Sequence, residues 1–208
     1  MSTYHEKVLT FDKGRKKVWK AIIEDISPGK YDSVLEIGAG YCDYINNVNA
    51  KLKYALDLSD IIEKYAKKEV HTLVQDLHHE ISIENNSLDI IFASNILEHF
   101  SVDELKEILP RLYTKLKKGG KLIVMQPNFT YCYKQYFDDF THKSIWTHVS
   151  LKEFLETHKF QINTTKPKYL PHSMKSILPK TYILTKLYLL LPFKVFPGQM
   201  LIIGVKNE

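Results

Sequence analysis

The stretch VLEIGAGYCDYIN, residues 34–46, decides the fold. Three apolar residues, Val34, Leu35 and Ile37, run into Gly38-Ala39-Gly40, so a buried strand ends in a tight glycine turn. Gly38 permits a sharp reversal, and Gly40 lets a ligand come close to the backbone. A dinucleotide loop wants a third glycine or alanine where Asp43 stands. A carboxylate there repels a diphosphate and is too large for close strand–helix packing. No G-x-x-x-x-G-K-[ST] loop occurs either. The loop therefore suits an adenosine that carries no phosphates.

Working outward, short apolar runs alternate with helical stretches. Strands are expected at 33–37, 54–58, 70–75, 88–94, 120–127, 160–165 and 200–206. Uninterrupted runs such as LDIIFAS (88–94) suit strands covered on both faces, as in a parallel sheet. Helices are expected over 11–25, 60–68 and 101–117, with a short one between the loop and the second strand. Ser101-Val102-Asp103-Glu104 and Ser150-Leu151-Lys152-Glu153 both read as capping boxes. Gly119-Gly120 reads as a helix stop, and Pro110 should bend the helix before it. The pattern implies an open α/β sheet, whose ligands bind at the carboxyl ends of the strands. Those ends fall at 38–43, 57–60, 76–79, 94–100 and 127–148. Asp57 and Asp76 close the second and third strands; they suit ribose hydroxyls and an adenine amino group, or helix N-caps.

Composition agrees. The 208 residues, 44% hydrophobic and 25% charged, can bury one sizeable core, which excludes a wholly disordered chain. Two cysteines exclude a disulfide scaffold and a four-cysteine zinc site. Neither a signal peptide nor a run long enough to span a membrane is expected, which points to a cytoplasmic protein. The net charge is +5, and from Lys166 onward seven lysines face a single acid, Glu208. A basic end of this kind suits an acidic substrate or a membrane surface, or is simply a solvated face. Only two arginines, Arg15 and Arg111, are present, which argues against nucleic acid as a partner.

Five ordered motifs resemble those of class I S-adenosylmethionine-dependent methyltransferases. They are VLEIGAGYCDYIN, ALDLS (55–59), QDL (75–77), LDIIFASNILEHF (88–100) and LKKGGKLIVMQPN (116–128). Cys42 departs from the pattern, since many members carry a third glycine there. The resemblance implies a Rossmann-like α/β fold with a seven-stranded, mostly parallel sheet, the last strand antiparallel beside the fifth. It also implies S-adenosylmethionine as cofactor and S-adenosylhomocysteine as product. Glu36, Gly38 and Gly40 would surround the methionine part, Asp57 would take the ribose hydroxyls, and Leu58 would lie on adenine. Asp76 and Leu77 would hold the adenine edge, with Ser94, Asn95 and His99 near the sulfonium. The flanks resemble a narrower bacterial group found with surface-polysaccharide and glycan biosynthesis, so a sugar or phosphorylated glycan precursor, small or lipid-linked, is the expected acceptor.

One domain over 1–208 is expected: a helical cap (1–30), the cofactor core (31–128), an acceptor-site insert with lid elements (129–199) and the last strand (200–208). In the insert, His142 or His148, oriented by Asp139, could take a hydroxyl proton. Asn128, Tyr131, Tyr136 and Lys175 are candidate acceptor contacts. Asp138, Asp139 and His142 match no metal-ligand spacing, so no metal is expected. His78-His79 reads as a solvated loop. Residues 169–197 suit a lid, a peripheral membrane contact or an ordinary helix against the sheet.

Overall fold

The computed structural model describes residues 14–172 and 180–207. Helix α1 (Arg15–Ile26) leads into β1 (Tyr31–Ile37), β2 (Ala50–Asp57), α2 (Ile61–Tyr65), β3 (Val70–Val74) and β4 (Leu88–Ser94). Then come α3 (Val102–Lys115), β5 (Leu116–Pro127), α4 (Phe129–Cys132), α5 (His148–Thr157), β6 (Phe160–Pro171), α6 (Tyr182–Leu190) and β7 (Pro197–Lys206). All seven strands form one sheet in the order β3-β2-β1-β4-β5-β7-β6. The first five are parallel, while β7 is antiparallel to both β5 and β6. This is the Rossmann-like architecture expected from the motifs.

Strand β4 shows why the apolar runs are continuous. Ile91 and Ala93 face a core closed by α3 and α5, through Leu105, Leu112, Leu151 and Leu155. Ile90 and Phe92 face the other core, against Trp19 and Ile22 of α1 and Tyr44 of the loop. A strand with helices on both faces has no polar side to alternate with.

Several local expectations are corrected. Helix α3 stops at Lys115 and β5 starts at once, so Gly119-Gly120 lie inside the strand. They form a bulge: Leu88 pairs with Leu116 but Ile90 with Lys121. Gly119 has φ +77°, and a Cβ on Gly120 would meet two carbonyl oxygens at 2.8 and 2.9 Å. The helix continues through Pro110, whose exposed position leaves the deprived carbonyl to water. The Ser101–Glu104 capping box is present in full. The second box sits one turn earlier than expected, between Thr147 and Ser150, which makes His148 the first residue of α5. Residues 41–47 form turns and no helix, starting from Cys42 at φ +57°. Finally, α6 lies on α1, and its Tyr188 and Leu189 pack against the core on that face of the sheet. Tyr182 Oη donates to Glu24 at 2.6 Å and Lys186 pairs with the same carboxylate at 2.8 Å. No residue of α6 is buried.

Candidate cofactor and acceptor cleft

The carboxyl ends of β1, β2, β4 and β5 open into a cleft of about 830 Å³. That suits a nucleoside-sized ligand with a small second molecule beside it. Gly38 and Gly40 both have positive φ, +64° and +45°. A Cβ on Gly38 would stand 2.9 Å from Ile96 Cγ1, so the turn needs glycine for space as well as for conformation.

Asp57 pins the loop. One carboxylate oxygen accepts from Gly40 N–H and the other from Ser59 N–H, each at 2.9 Å. A carboxylate offers about four lone-pair sites in all, the capacity to serve the loop and a vicinal diol together. Glu36 is buried and accepts from Ile45 N–H at 2.9 Å. Burial holds its carboxyl well above the usual range, against the pull of that N–H. Asp43 meets Arg15 at 2.7 Å, yet burial outweighs the guanidinium and raises its carboxyl.

At the adenine end, Leu58 is half exposed and Leu77 buried. Asp76 Oδ1 accepts from His78 N–H at 2.9 Å and meets His78 Nδ1 at 2.6 Å. The His78 ring bridges on to Glu104 at 3.1 Å, so it is no idle loop residue. The Asp76 bond, with Glu104 behind it, raises the His78 imidazole above its ordinary value. Its stabilising contribution is full below about pH 6.5 and fades as pH rises through the raised value. His78→Ala is expected to cost less than about 1 kcal/mol, because the pair is part-exposed. Thermal unfolding should show the loss at pH 6 and little of it at pH 9.

The opposite end is built by the turn after β4 and the segment before α5. Lys143 and Ser144 N–H donate to the Glu98 carbonyl at 2.8 and 3.2 Å, holding the two together. His99 and His142 thereby meet edge to face, ring centroids 5.0 Å apart. Asp139 O accepts from His142 N–H at 3.3 Å. Its Oδ1 accepts from Thr141 Oγ1–H at 2.6 Å and from Thr141 N–H at 3.0 Å. Thr141 Oγ1 lies 2.9 Å from His99 Nδ1. With the hydroxyl proton given to Asp139, His99 Nδ1–H must be the donor, and Nε2 keeps the lone pair. Burial and the neighbouring His142 lower the His99 imidazole, so it is neutral near pH 7. Glu98 is fully buried, and neither carboxylate oxygen has a hydrogen-bond partner among the described residues. Burial raises its carboxyl to about 8, with Asp139 adding to the effect and its own backbone N–H opposing it.

All ten residues expected around the cofactor line this one cleft: Glu36, Gly38, Gly40, Asp57, Leu58, Asp76, Leu77, Ser94, Asn95 and His99. Asp139 and His142 line it too. Four other candidates point elsewhere. Tyr136 is fully buried and its phenol donates to Ser144 O at 2.7 Å. Asn128 ties Pro167 O (3.0 Å) to His148 Nδ1 (3.1 Å), which spends both residues on joining β5, α5 and β6. Tyr131 sits in a separate shallow groove beneath Lys168, 4.9 Å from its ring centroid. Lys175 lies outside the described residues. The sequence reading missed Glu98, Thr141, His172 and Gln199 as lining residues. Glu98 had one signal, an acid among the apolar Ile96, Leu97 and Phe100.

Comparison with known proteins agrees with the fold. Residues 35–124 match the model of a methyltransferase domain family. A phosphoethanolamine N-methyltransferase of Plasmodium falciparum is 24% identical over 74% of this chain. The match covers 56% of that enzyme, so the chain spans about half the length of this relative. A SAM-dependent methyltransferase from Archaeoglobus fulgidus superposes with a TM-score of 0.68 at 20% identity, covering 99% of both chains. A Haemonchus contortus phosphoethanolamine N-methyltransferase, solved with phosphomonomethylethanolamine and S-adenosylhomocysteine, gives 0.60 at 17% identity over 91% of this chain and 52% of that one. Residues 35–124 are thus similar to a methyltransferase domain, and the sheet order gives the chain the Rossmann-like fold of the S-adenosylmethionine-dependent methyltransferases it resembles.

Proposed function

We propose that the protein transfers a methyl group from S-adenosylmethionine to a hydroxyl of a small polar acceptor, a sugar or glycan precursor. The observation that carries this is the division of the one cleft. A nucleoside end is built on Asp57, and a polar end is built on His99, Thr141, His142 and Gln199. The acceptor oxygen attacks the methyl carbon in line with the departing sulfur. The O–C bond forms, the C–S bond breaks, and the electron pair stays on sulfur as the neutral thioether. The hydroxyl proton is lost at the imidazole cluster. Holding the two reactants in line supplies much of the rate.

An amine acceptor of the phosphoethanolamine kind is the second reading, favoured by the names of the relatives. Its phosphate would need a cation, and among the described residues of the cleft Arg15 and Lys143 are each already paired, with Asp43 and Glu104. That favours the uncharged hydroxyl. The test is calorimetric titration with S-adenosylhomocysteine, NAD serving as control, followed by S-adenosylhomocysteine release on a panel of sugars, nucleotide sugars and phosphoethanolamine. Saturable binding and turnover on a sugar support the reading. Turnover on phosphoethanolamine alone, or no binding by folded protein, overturns it.

A lipid-linked acceptor fits the surface beyond α6. Among the described residues no helix is long and apolar enough to cross a membrane. Yet Ile183, Leu190, Phe193 and Phe196 are 68%, 78%, 86% and 85% exposed, with Lys180, Lys186 and Lys194 close in sequence. Apolar side chains flanked by lysines suit the interface of an anionic bilayer. Phe193→Ser with Phe196→Ser is expected to weaken co-sedimentation with anionic liposomes about tenfold or more, since each buried phenyl is worth about 1.5–3 kcal/mol. S-adenosylhomocysteine affinity should not change.

A further inference from the structure

The turn after β4 buries a carboxylate that no other described residue satisfies. Both oxygens of Glu98 lack a hydrogen-bond partner among the described residues, as does Nδ1 of His142. Burying such groups unpaired costs several kcal/mol by general experience, so a carboxylate in this position asks for a counter-charge. Glu98, His99 and His142 each present a ligand atom, and these atoms lie within 4.8 Å of one another. All three line the polar end of the cleft.

From this geometry we infer that Glu98, His99 and His142 form a binding site for a divalent transition-metal ion, Zn²⁺ being the best match. Two imidazoles and one carboxylate are a donor set for zinc and its first-row neighbours, whereas Mg²⁺ and Ca²⁺ prefer oxygen throughout. Three protein ligands leave a fourth position open, which is the pattern of a catalytic site. Around tetrahedral Zn²⁺ the donors stand roughly 3.4 Å apart, given bonds of about 2.1 Å. The cluster therefore closes by at most about 1.4 Å on binding. The outer contacts also fit. A metal-bound imidazole normally donates its other N–H to an oxygen that fixes its tautomer. His99 has that arrangement: Nδ1–H on Thr141 Oγ1 at 2.9 Å, with Asp139 behind the threonine at 2.6 Å. His99 Nε2 is thereby left as the donor atom.

The role of the ion rests on the methyl-transfer reading, whereas the site itself does not. In the open position the ion would hold the acceptor's hydroxyl oxygen and acidify it. With both imidazoles held as ligands, the proton would leave to water at the cleft mouth and not to the imidazole cluster, and the oxygen would then attack the methyl carbon with the neutral thioether as leaving group.

The test is calorimetric titration of the chelator-stripped full chain with Zn²⁺, without S-adenosylmethionine, with Mg²⁺ in a parallel arm. One equivalent of Zn²⁺ should bind, at least 100-fold more tightly than to His142→Ala or Glu98→Gln. His148→Ala, outside the cleft, should bind as the parent does. Thr141→Val keeps all three ligands and should lose about 10- to 100-fold, which tests the outer contact and serves if His142→Ala does not fold. Cooperative thermal unfolding shows that each variant is folded. Zn²⁺ affinity unchanged in Glu98→Gln and His142→Ala would overturn the site, as would no stoichiometric uptake or a preference for Mg²⁺. S-adenosylhomocysteine titration separates the two readings. Cofactor binding without zinc binding removes the ion alone, and zinc binding without cofactor binding keeps the site and removes its assigned role.

Discussion

Asp57→Ala is expected to lower S-adenosylhomocysteine affinity by about 100- to 1000-fold. Each hydrogen bond to a charged group contributes roughly 1.5–3 kcal/mol, and two ribose hydroxyls converge on this carboxylate in the proposed complex. Every tenfold loss corresponds to about 1.4 kcal/mol. The same carboxylate also fixes the loop through Gly40 and Ser59. Alanine therefore leaves two buried N–H groups without their acceptor and loosens the turn that must fit the ligand. Asp57→Asn keeps an acceptor and should lose less. Calorimetry on both variants checks this, with thermal unfolding to confirm the fold. An affinity within threefold of the parent for Asp57→Ala would remove the ribose role.

The second large effect is on stability. Gly198→Ala puts a methyl group onto His172, 2.5 Å from its Cα and backbone nitrogen and closer still to its Cβ. Those atoms belong to the chain itself, so no side-chain rotation relieves the clash and the end of the β6–β7 ladder must part. Overpacking costs roughly 1–3 kcal/mol, and a backbone conflict sits at the upper end. In a chain of this size that lowers the melting temperature by about 6–12 °C. His172 and Gln199 both line the cleft, so methyl transfer should fall as well. Gly204→Ala is the comparison. The atoms nearest its new methyl belong to the Phe160 side chain, at 2.9 Å and beyond, and the cost should be smaller. Equal melting temperatures for the two variants would contradict this account.

The core was legible because each of its signals is local. LDIIFAS reads as a strand from its own residues and forms β4 over those same seven positions. Gly38, Gly40 and Asp57 declare a loop and a strand end within one short stretch. The acceptor end was legible only in part, because its geometry is not local. His99 and Thr141 are 42 positions apart and meet through hydrogen bonds to the Glu98 carbonyl. Composition marked residues 128–148 as rich in polar and aromatic groups but carried no direction. Tyr136 and His142 are six positions apart in similar surroundings; one phenol turns inward to Ser144 O while the imidazole faces the cleft. Gly119-Gly120 misled for a related reason, since glycines suit a helix stop and a strand bulge equally well.

The place of β7 bears on how the chain reaches this state during synthesis. β7 fills the gap between β5 and β6, yet it begins about 70 residues after β5 ends. At roughly 5–20 residues per second, a growing chain leaves the β5 edge unpaired for some 4–14 seconds. Through that interval LIVMQ (122–126) offers an apolar strand edge to any neighbouring chain. Nascent chains stalled before residue 197 should therefore self-associate or recruit chaperones, and those extended past residue 206 should not.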